Sequence, residues 1–140
     1  MAKRRFLTAI DGSVHSWKVL EKAIEYARIF TAEIVLVYCH KKYPKLLGQP
    51  YRDQVISSIM DQTQETVAPF VGKLEESGLE FTQVMVEEPA GSMIPTVAEN
   101  EKCELIVMGS RGLSDLEGLI IGSVTHRVLH LAKCPVLVVR

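Results

Sequence analysis

The stretch ELIVMGSRGLSDLEGLIIGSV, residues 104–124, joins an apolar run to a glycine-containing connection and then to the start of a helix. Residues 105–109 are near-continuously apolar, which is typical of a strand covered on both faces of a sheet. Four glycines follow, at Gly109, Gly112, Gly118 and Gly122. Because each glycine inside regular structure costs roughly 0.5–1 kcal/mol relative to alanine, four of them indicate that something approaches this backbone closely.

The segments on both sides of this stretch alternate between strand and helix patterns. Short apolar runs predict strands at residues 5–10, 33–39, 80–86, 104–109 and 135–140. Apolar residues at helical spacing predict helices that begin near Ser16, Ile56, Ser92 and Ser123. The order β-α-β-α-β-α-β-α-β predicts an α/β fold with a single open five-stranded parallel sheet, Rossmann-like, with helices on both faces.

The connection at residues 40–53, HKKYPKLLGQPYRD, is longer than an ordinary loop and contains two prolines and a glycine. We expect it to be irregular, mobile without a ligand and more ordered with one. Pro69 lies within the helical pattern that follows, where a proline kinks or splits a helix. Pro95 is expected in the first turn of the third helix, where proline is tolerated.

Composition narrows the class of protein. The chain has 140 residues, 47% hydrophobic and 24% charged, which fits one globular domain, 1–140. The formal net charge of −1 gives no electrostatic footprint for nucleic acid. No apolar run approaches the roughly 18 residues of a membrane span. Three cysteines without a CxxC pair favour reduced thiols, so we expect a cytoplasmic protein. Because no long apolar run is present, we expect no membrane partner.

The residues of interest directly follow predicted strands. Asp11 follows the first strand, in the turn Asp11-Gly12-Ser13, and the glycine stretch follows the fourth. Open parallel sheets bind ligands beyond the carboxyl ends of their strands, where the strand order reverses. If the first and fourth strands are neighbours at that point, both features face one crevice.

The start of the fourth helix has the chemistry of an anion site. The first N–H groups of a helix lack internal partners and, with the helix dipole, favour anions. Gly122 would let a phosphate reach this backbone, and Ser123 and Thr125 add hydroxyl donors. The standard Walker and GxGxxG motifs are absent. The residues therefore leave two interpretations open, a phosphate or nucleotide site and a glycine-rich loop in which Ser123 is a plain N-cap.

The spacing Gly109-x2-Gly112-x9-Gly122-Ser123 resembles the G-x2-G-x9-G-(S/T) signature of ATP-binding universal stress proteins. The segments DGSVHSWKVLEKAIEYA (11–27), LIVMGSRG (105–112) and GSVTHRVLHLAKCPVLVVR (122–140) resemble the opening and closing parts of that family, in the same order. The resemblance spans nearly the whole chain, and the family fold, a five-stranded parallel sheet, agrees with the strand count above.

The resemblance implies a set of nucleotide-binding residues: Asp11, Cys39, Met108, Gly109, Arg111, Gly112, Gly122, Ser123, Val124 and Thr125. It implies that Asp11 helps to hold Mg²⁺ or Mn²⁺ with the phosphates of ATP. It places the ribose near Met108 and the adenine near Cys39, where valine is the more usual occupant. Because cysteine behaves as a small hydrophobe, this change is expected to be tolerated.

Three functions from different classes follow. The first is a cytoplasmic, ATP-binding stress-response module whose nucleotide state alters its shape or its partners. The second is a slow ATPase or phosphotransferase, which lacks an apparent base besides Asp11. The third is a nucleotide-independent dimeric scaffold. The resemblance also implies a homodimer that pairs residues 135–139 with their twins across a two-fold axis, which would cover an apolar sheet edge.

Overall fold

The computed structural model describes residues 3–111 and 121–140. In chain order its elements are β1 (Arg4–Ile10), α1 (His15–Phe30), β2 (Ala32–His40), α2 (Tyr51–Ser77), β3 (Phe81–Glu87), α3 (Ala90–Asn100), β4 (Leu105–Gly109), α4 (Ser123–Leu131) and β5 (Val136–Val139). The alternating order of strands and helices expected from the sequence is confirmed.

The strands form one parallel sheet in the order β3-β2-β1-β4-β5. β1 is central, with β2 on one side and β4 on the other, and Thr8 is paired with both Leu36 and Val107. The strand order therefore reverses between β1 and β4. The Asp11 turn and the end of β4, from which the glycine stretch leaves, therefore lie at the same edge of the sheet, where open parallel sheets bind ligands.

Helices cover both faces of the sheet, and the core has two halves. Side chains alternate along β1, so that Phe6 and Ile10 pack with α1 and α2, whereas Leu7 packs with α3 and α4. Leu7, Leu20 and Ile106 have no exposed surface. No helix in the described ranges is both long enough and apolar enough to cross a membrane.

The second helix differs most from the sequence expectation. It begins at Tyr51 rather than near Ile56, which shortens the preceding connection to residues 41–50. It also continues as one element through Pro69. A proline in a helix costs about 3 kcal/mol, and the burial of Val67 and Phe70 on either side of it offsets that cost.

Two helix starts also differ. Ser16 is not the N-cap of α1, because the helix begins at His15 and the cap position is Val14. α3 begins at Ala90 instead of Ser92, so Pro95 lies beyond its first turn. Asp11 holds the hydroxyl of Ser16, as described below, and this explains why a serine stands there without capping.

Candidate functional site

The turn after β1 is organised by the Asp11 carboxylate. Its Oδ1 accepts hydrogen bonds from the Ser13 N–H at 2.9 Å and from the Ser16 hydroxyl at 2.9 Å. The Asp11 N–H in turn donates to the Ser16 Oγ at 3.0 Å. These bonds fix the orientation of the carboxylate at the carboxyl end of β1 before any ligand binds.

Gly12 brings this turn against α2. Its φ of +85° is in the left-handed region that favours glycine. A Cβ built on Gly12 would lie 2.6 Å from the Cγ2 of Thr66 in α2. The glycine is therefore required both by the backbone conformation and by the close approach of the helix.

The end of β4 and the start of α4 are joined by short hydrogen bonds. The Gly122 N–H donates to the Ser110 carbonyl at 2.7 Å, and the Thr125 hydroxyl donates to the Gly109 carbonyl at 2.7 Å. The Ser110 N–H donates to Val139 in β5 at 2.8 Å. α4 is thus positioned with its N-terminus beside the carboxyl end of β4. The Thr125 hydroxyl is engaged in this connection, and Thr125 is buried.

The first turn of α4 carries backbone donors that the described residues leave unpaired. The first intrahelical bond runs from the His126 N–H to the Gly122 carbonyl at 3.0 Å. The N–H groups of Ser123 and Val124 precede it, and no side chain caps the helix. Both residues are exposed. Within residues 3–111 and 121–140, these donors are available to an anion.

Gly109 and Gly122 differ in what the fold requires of them. A Cβ on Gly109 would lie 3.0 Å from the Arg111 carbonyl oxygen and 3.4 Å from Val19, so this position is tight. Gly122 has φ −71° and ψ 165°, an extended conformation that any residue adopts. Among the described residues, the nearest atom to a Cβ there would be the Ser110 oxygen at 3.4 Å. The described structure gives Gly109 a folding role and gives Gly122 none.

Cys39 and Met108 lie in the same core cluster, under α3 and α4. Ile10 of β1 pairs with Tyr38, which places Cys39 at the carboxyl edge near the Asp11 turn. Burial, and secondarily the charge of Glu88, raises the pKa of the Cys39 thiol to about 11. Met108 is 4% exposed, so any contact of this residue with a ligand in the crevice would come from its backbone.

The remaining candidate residues are distributed as follows. Arg111 is exposed at the end of the first described range. Gly112, and Gly118 in the spacer, lie outside the described residues. In the described ranges, no group of three or more His, Cys, Asp and Glu side chains is placed to hold a metal ion. Sequence reasoning missed the part played by Ser16 and Ser110, because serine after a strand gives the same signal as an ordinary cap or turn.

Two open clefts lie along α2 and not in this crevice. One is lined by its exposed polar face, including Asp53 and Asp61. The other, of about 660 Å³, lies between α2 and β3. The crevice between β1 and β4 is defined by the strand order and by the backbone donors of α4, and it adjoins residues 112–120, outside the described part.

Comparison with known proteins places this arrangement in a family. The model of the universal stress protein family matches residues 3–140. Universal stress protein MJ0531 of Methanocaldococcus jannaschii is 34% identical over 140 residues, covering 98% of this chain and 82% of that protein. A universal stress protein of Thermus aquaticus is 30% identical over 137 residues, covering 98% of each.

Solved structures agree in fold. The structure of MJ0577 has a TM-score of 0.86 at 22% identity, covering 99% of this chain and 96% of that one. A universal stress protein from Archaeoglobus fulgidus in complex with dAMP has a TM-score of 0.71 at 19% identity, covering 99% and 98%. A family member from Arabidopsis thaliana with AMP bound has a TM-score of 0.71 at 17% identity, covering 97% and 90%. The chain belongs to the universal stress protein family.

Proposed function

We propose that this chain binds ATP, with Mg²⁺ or Mn²⁺, in the crevice between the carboxyl ends of β1 and β4, and acts as a nucleotide-dependent stress-response binding or signalling module in the cytoplasm. Family membership supports the stress-response role. Relatives of the same fold with dAMP and AMP bound support a nucleotide as the ligand.

The proposal depends mainly on the open space at Gly122. Its backbone conformation is open to any residue, and a Cβ would fit there in ordinary contact. A side chain at this position would nevertheless stand beside the exposed N–H groups of Ser123 and Val124. A phosphate approaching those donors needs that space, whereas the described residues do not fill it. A bound phosphate would therefore account for the absence of a side chain at Gly122.

The other residues have distinct roles in this proposal. The N–H groups of Ser123 and Val124, with the Ser123 hydroxyl, hold phosphate oxygens. Asp11, oriented by Ser13 and Ser16, supplies one carboxylate to the divalent ion. Mg²⁺ in nucleotide sites is held by one or two carboxylates together with phosphates and water, so a single aspartate fits such an ion. Thr125 positions α4 through its bond to Gly109.

A substitution at Gly122 tests the proposal. We expect Gly122→Val to lose Mg-ATP binding in calorimetric titration, because the valine side chain occupies the phosphate position. Parent binding in the micromolar range, about −8 kcal/mol, is consistent with two or three hydrogen bonds to charged groups at about 1.5–3 kcal/mol each plus a metal ion. Ser123→Ala is expected to weaken binding only modestly, since the backbone donors remain.

Gly72→Ala is the matched control. Gly72 lies in α2, away from the crevice, and a Cβ there meets nothing within 4 Å. This variant is expected to bind like the parent protein. Circular dichroism establishes that both variants are folded. A folded Gly122→Val protein that binds Mg-ATP as tightly as the parent would contradict the proposal.

A further inference from the structure

The free edge of β3 presents backbone groups that no other strand uses in the described part of the chain. The Ile34 N–H of β2 donates to the Glu80 carbonyl at 3.0 Å, so the carbonyl that precedes β3 points toward β2. In a parallel strand the N–H and C=O of one residue point to the same side, and the side alternates along the strand. Gln83 and Met85 therefore direct their N–H and C=O groups away from the sheet.

This edge lacks the features that usually protect a sheet edge. The middle of β3, residues 82–86, has the sequence TQVMV. It contains no proline and no charged residue. Edge strands of native proteins are commonly blunted by such residues, because a row of unpaired backbone groups is a template for another strand. Residues 82–86 of β3 are therefore open to pairing.

An open cleft adjoins the free edge. It measures about 660 Å³ and lies between α2 and β3, with Gln83 and Met85 on the strand side. On the helix side its lining combines apolar side chains and Gly72 with the polar side chains of Thr63, Gln64 and Glu75. Met60 and Met85 are 48% and 36% exposed there. The volume is in the range of about 300–1,000 Å³ that suits small ligands and side chains.

The position of α2 explains the cleft. α2 packs on α1 and β2. Its buried residues Val67, Phe70 and Leu74 belong to the cluster above β1 and β2. The side chains of Gln83 and Met85 face the same side of the sheet, since they pair with Leu36 and Tyr38. A strand added beside β3 would place every second side chain against this cleft.

Carboxylates near the amino end of β3 favour a partner with basic residues. Glu75 lines the cleft, and Glu76, the next residue of α2, is exposed. Within the described residues neither carboxylate has an ion-pair partner, since Lys73 pairs with Glu21 and the Arg28 guanidinium donates to the Ser77 carbonyl. A basic residue on a partner would offset their negative charge.

We propose that the free edge of β3 binds an extended segment of a partner protein as a sixth strand of the sheet. The segment has apolar side chains at alternate positions, which fill the cleft beside α2, and lysine or arginine at the end that meets Glu75 and Glu76. Backbone hydrogen bonds to Gln83 and Met85 supply affinity, and the cleft and the carboxylates supply specificity.

The probe is a short synthetic peptide in which valine and threonine alternate, ending in two lysines. Its binding to the full chain is measured by calorimetry. A second peptide has the same side chains but N-methyl groups on the amides that would face β3, and a third ends in two glutamates. We expect the dissociation constant to rise at least about tenfold for each altered peptide, as loss of one or two hydrogen bonds or of charge pairing implies.

Substitutions in the protein test the same contacts as the altered peptides. Gln83→Pro removes an outward N–H while leaving the ladder to β2, so the sheet is retained, and Gln83→Ala keeps that N–H as the matched control. Gly72→Leu places a bulky side chain in the cleft, at a position where a Cβ meets nothing within 4 Å. We expect Gln83→Pro and Gly72→Leu to weaken peptide binding about tenfold, and Gln83→Ala to bind like the parent.

Several results would overturn the proposal. Absence of peptide binding to the parent is one. Equal binding of the N-methylated peptide shows that no strand pairing occurs, even if Gly72→Leu abolishes binding, because the cleft then takes side chains or small molecules alone. Parent-like binding by folded Gln83→Pro and Gly72→Leu proteins places the peptide elsewhere. None of these variants touches Gly122 or Asp11, so failure of the ATP proposal is distinguished by titration with Mg-ATP.

Discussion

Cys39 is a thiol held neutral by its surroundings. Burial, and then the nearby Glu88, raises its pKa to about 11, and burial raises the pKa of Cys103 to about 12. Neither is a thiolate near neutral pH, so neither has the character of a nucleophile. In the unfolded chain both thiols ionise near pH 9. Their contribution to stability is therefore complete below that pH and is lost as the pH rises toward their folded pKa values.

Replacement of Cys39 by valine removes one of these titrations. We expect the free energy of unfolding of the parent to fall between about pH 9 and pH 11, and the fall to be smaller in Cys39→Val. Urea unfolding of both proteins across this range measures the difference, and titrations of other groups cancel in the comparison. The same slope in both proteins would show that Cys39 ionises equally in the folded and unfolded states.

The two glycines of the site show what a sequence alone leaves undecided. Gly109 and Gly122 belong to one motif, yet a Cβ at Gly109 would crowd Arg111 and Val19, whereas one at Gly122 would fit. Composition and spacing do not separate a glycine required by packing from one required by a ligand. The distinction depends on contacts with residues that are distant in sequence.

Among the elements, the ones bounded by strong local signals were predicted well. α4, which ends at Leu131, begins at Ser123 as the sequence indicated. The start of α2 at Tyr51 was not predicted, because none of residues 51–55 is buried and the apolar pattern predicts a helix only from Ile56. The position of the crevice was predicted from the order of strands and helices in the sequence. The hydrogen bonds of Ser16 and Ser110 that fix its geometry were not predicted, because they join residues whose contacts the spacing of motifs does not encode.

The contact between α3 and α4 depends on one glycine. A Cβ built on Gly91 would lie 2.8 Å from the Cβ and Cγ of Arg127, so the two helices approach closely at this position. An alanine would force them apart or displace Arg127. Since α4 presents the backbone donors of the crevice, its packing on α3 contributes to the geometry of the site.

Gly91→Ala tests this packing. Alanine normally stabilises a helix relative to glycine by up to about 1 kcal/mol. Here we expect the opposite sign, a loss of about 1–3 kcal/mol in the free energy of unfolding, as for other overpacked positions. Gly72→Ala in α2, which has open space, is expected to show the normal gain. Urea unfolding measures both, and equal gains in the two variants would show that α3 and α4 are not in tight contact.

At the scale of the whole molecule, the sheet has two edges in the described part of the chain, β3 and β5, and they differ. β5 is short, and its four residues are all partly exposed valine or leucine. The Ser110 N–H donates to the Val139 carbonyl, and the Ile106 N–H donates to the Pro135 carbonyl. By alternation, Val136 and Val138 direct their backbone groups away from β4.

We propose that β5 pairs with its twin in a homodimer, as the family resemblance implies, and that this covers its apolar edge. Light scattering at micromolar concentration is expected to give twice the chain mass of 15.6 kDa. Val138→Lys should shift the protein toward monomer, because the two-fold arrangement brings two lysines together and charged residues protect an edge from pairing. Gln83→Pro, on the opposite edge, is the control and should remain a dimer.

A monomeric parent, or a dimer unaffected by Val138→Lys, would contradict pairing through β5. Loss of the dimer in Gln83→Pro alone would instead assign self-association to the β3 edge, and the extended segment inferred above would then belong to a second copy of this chain.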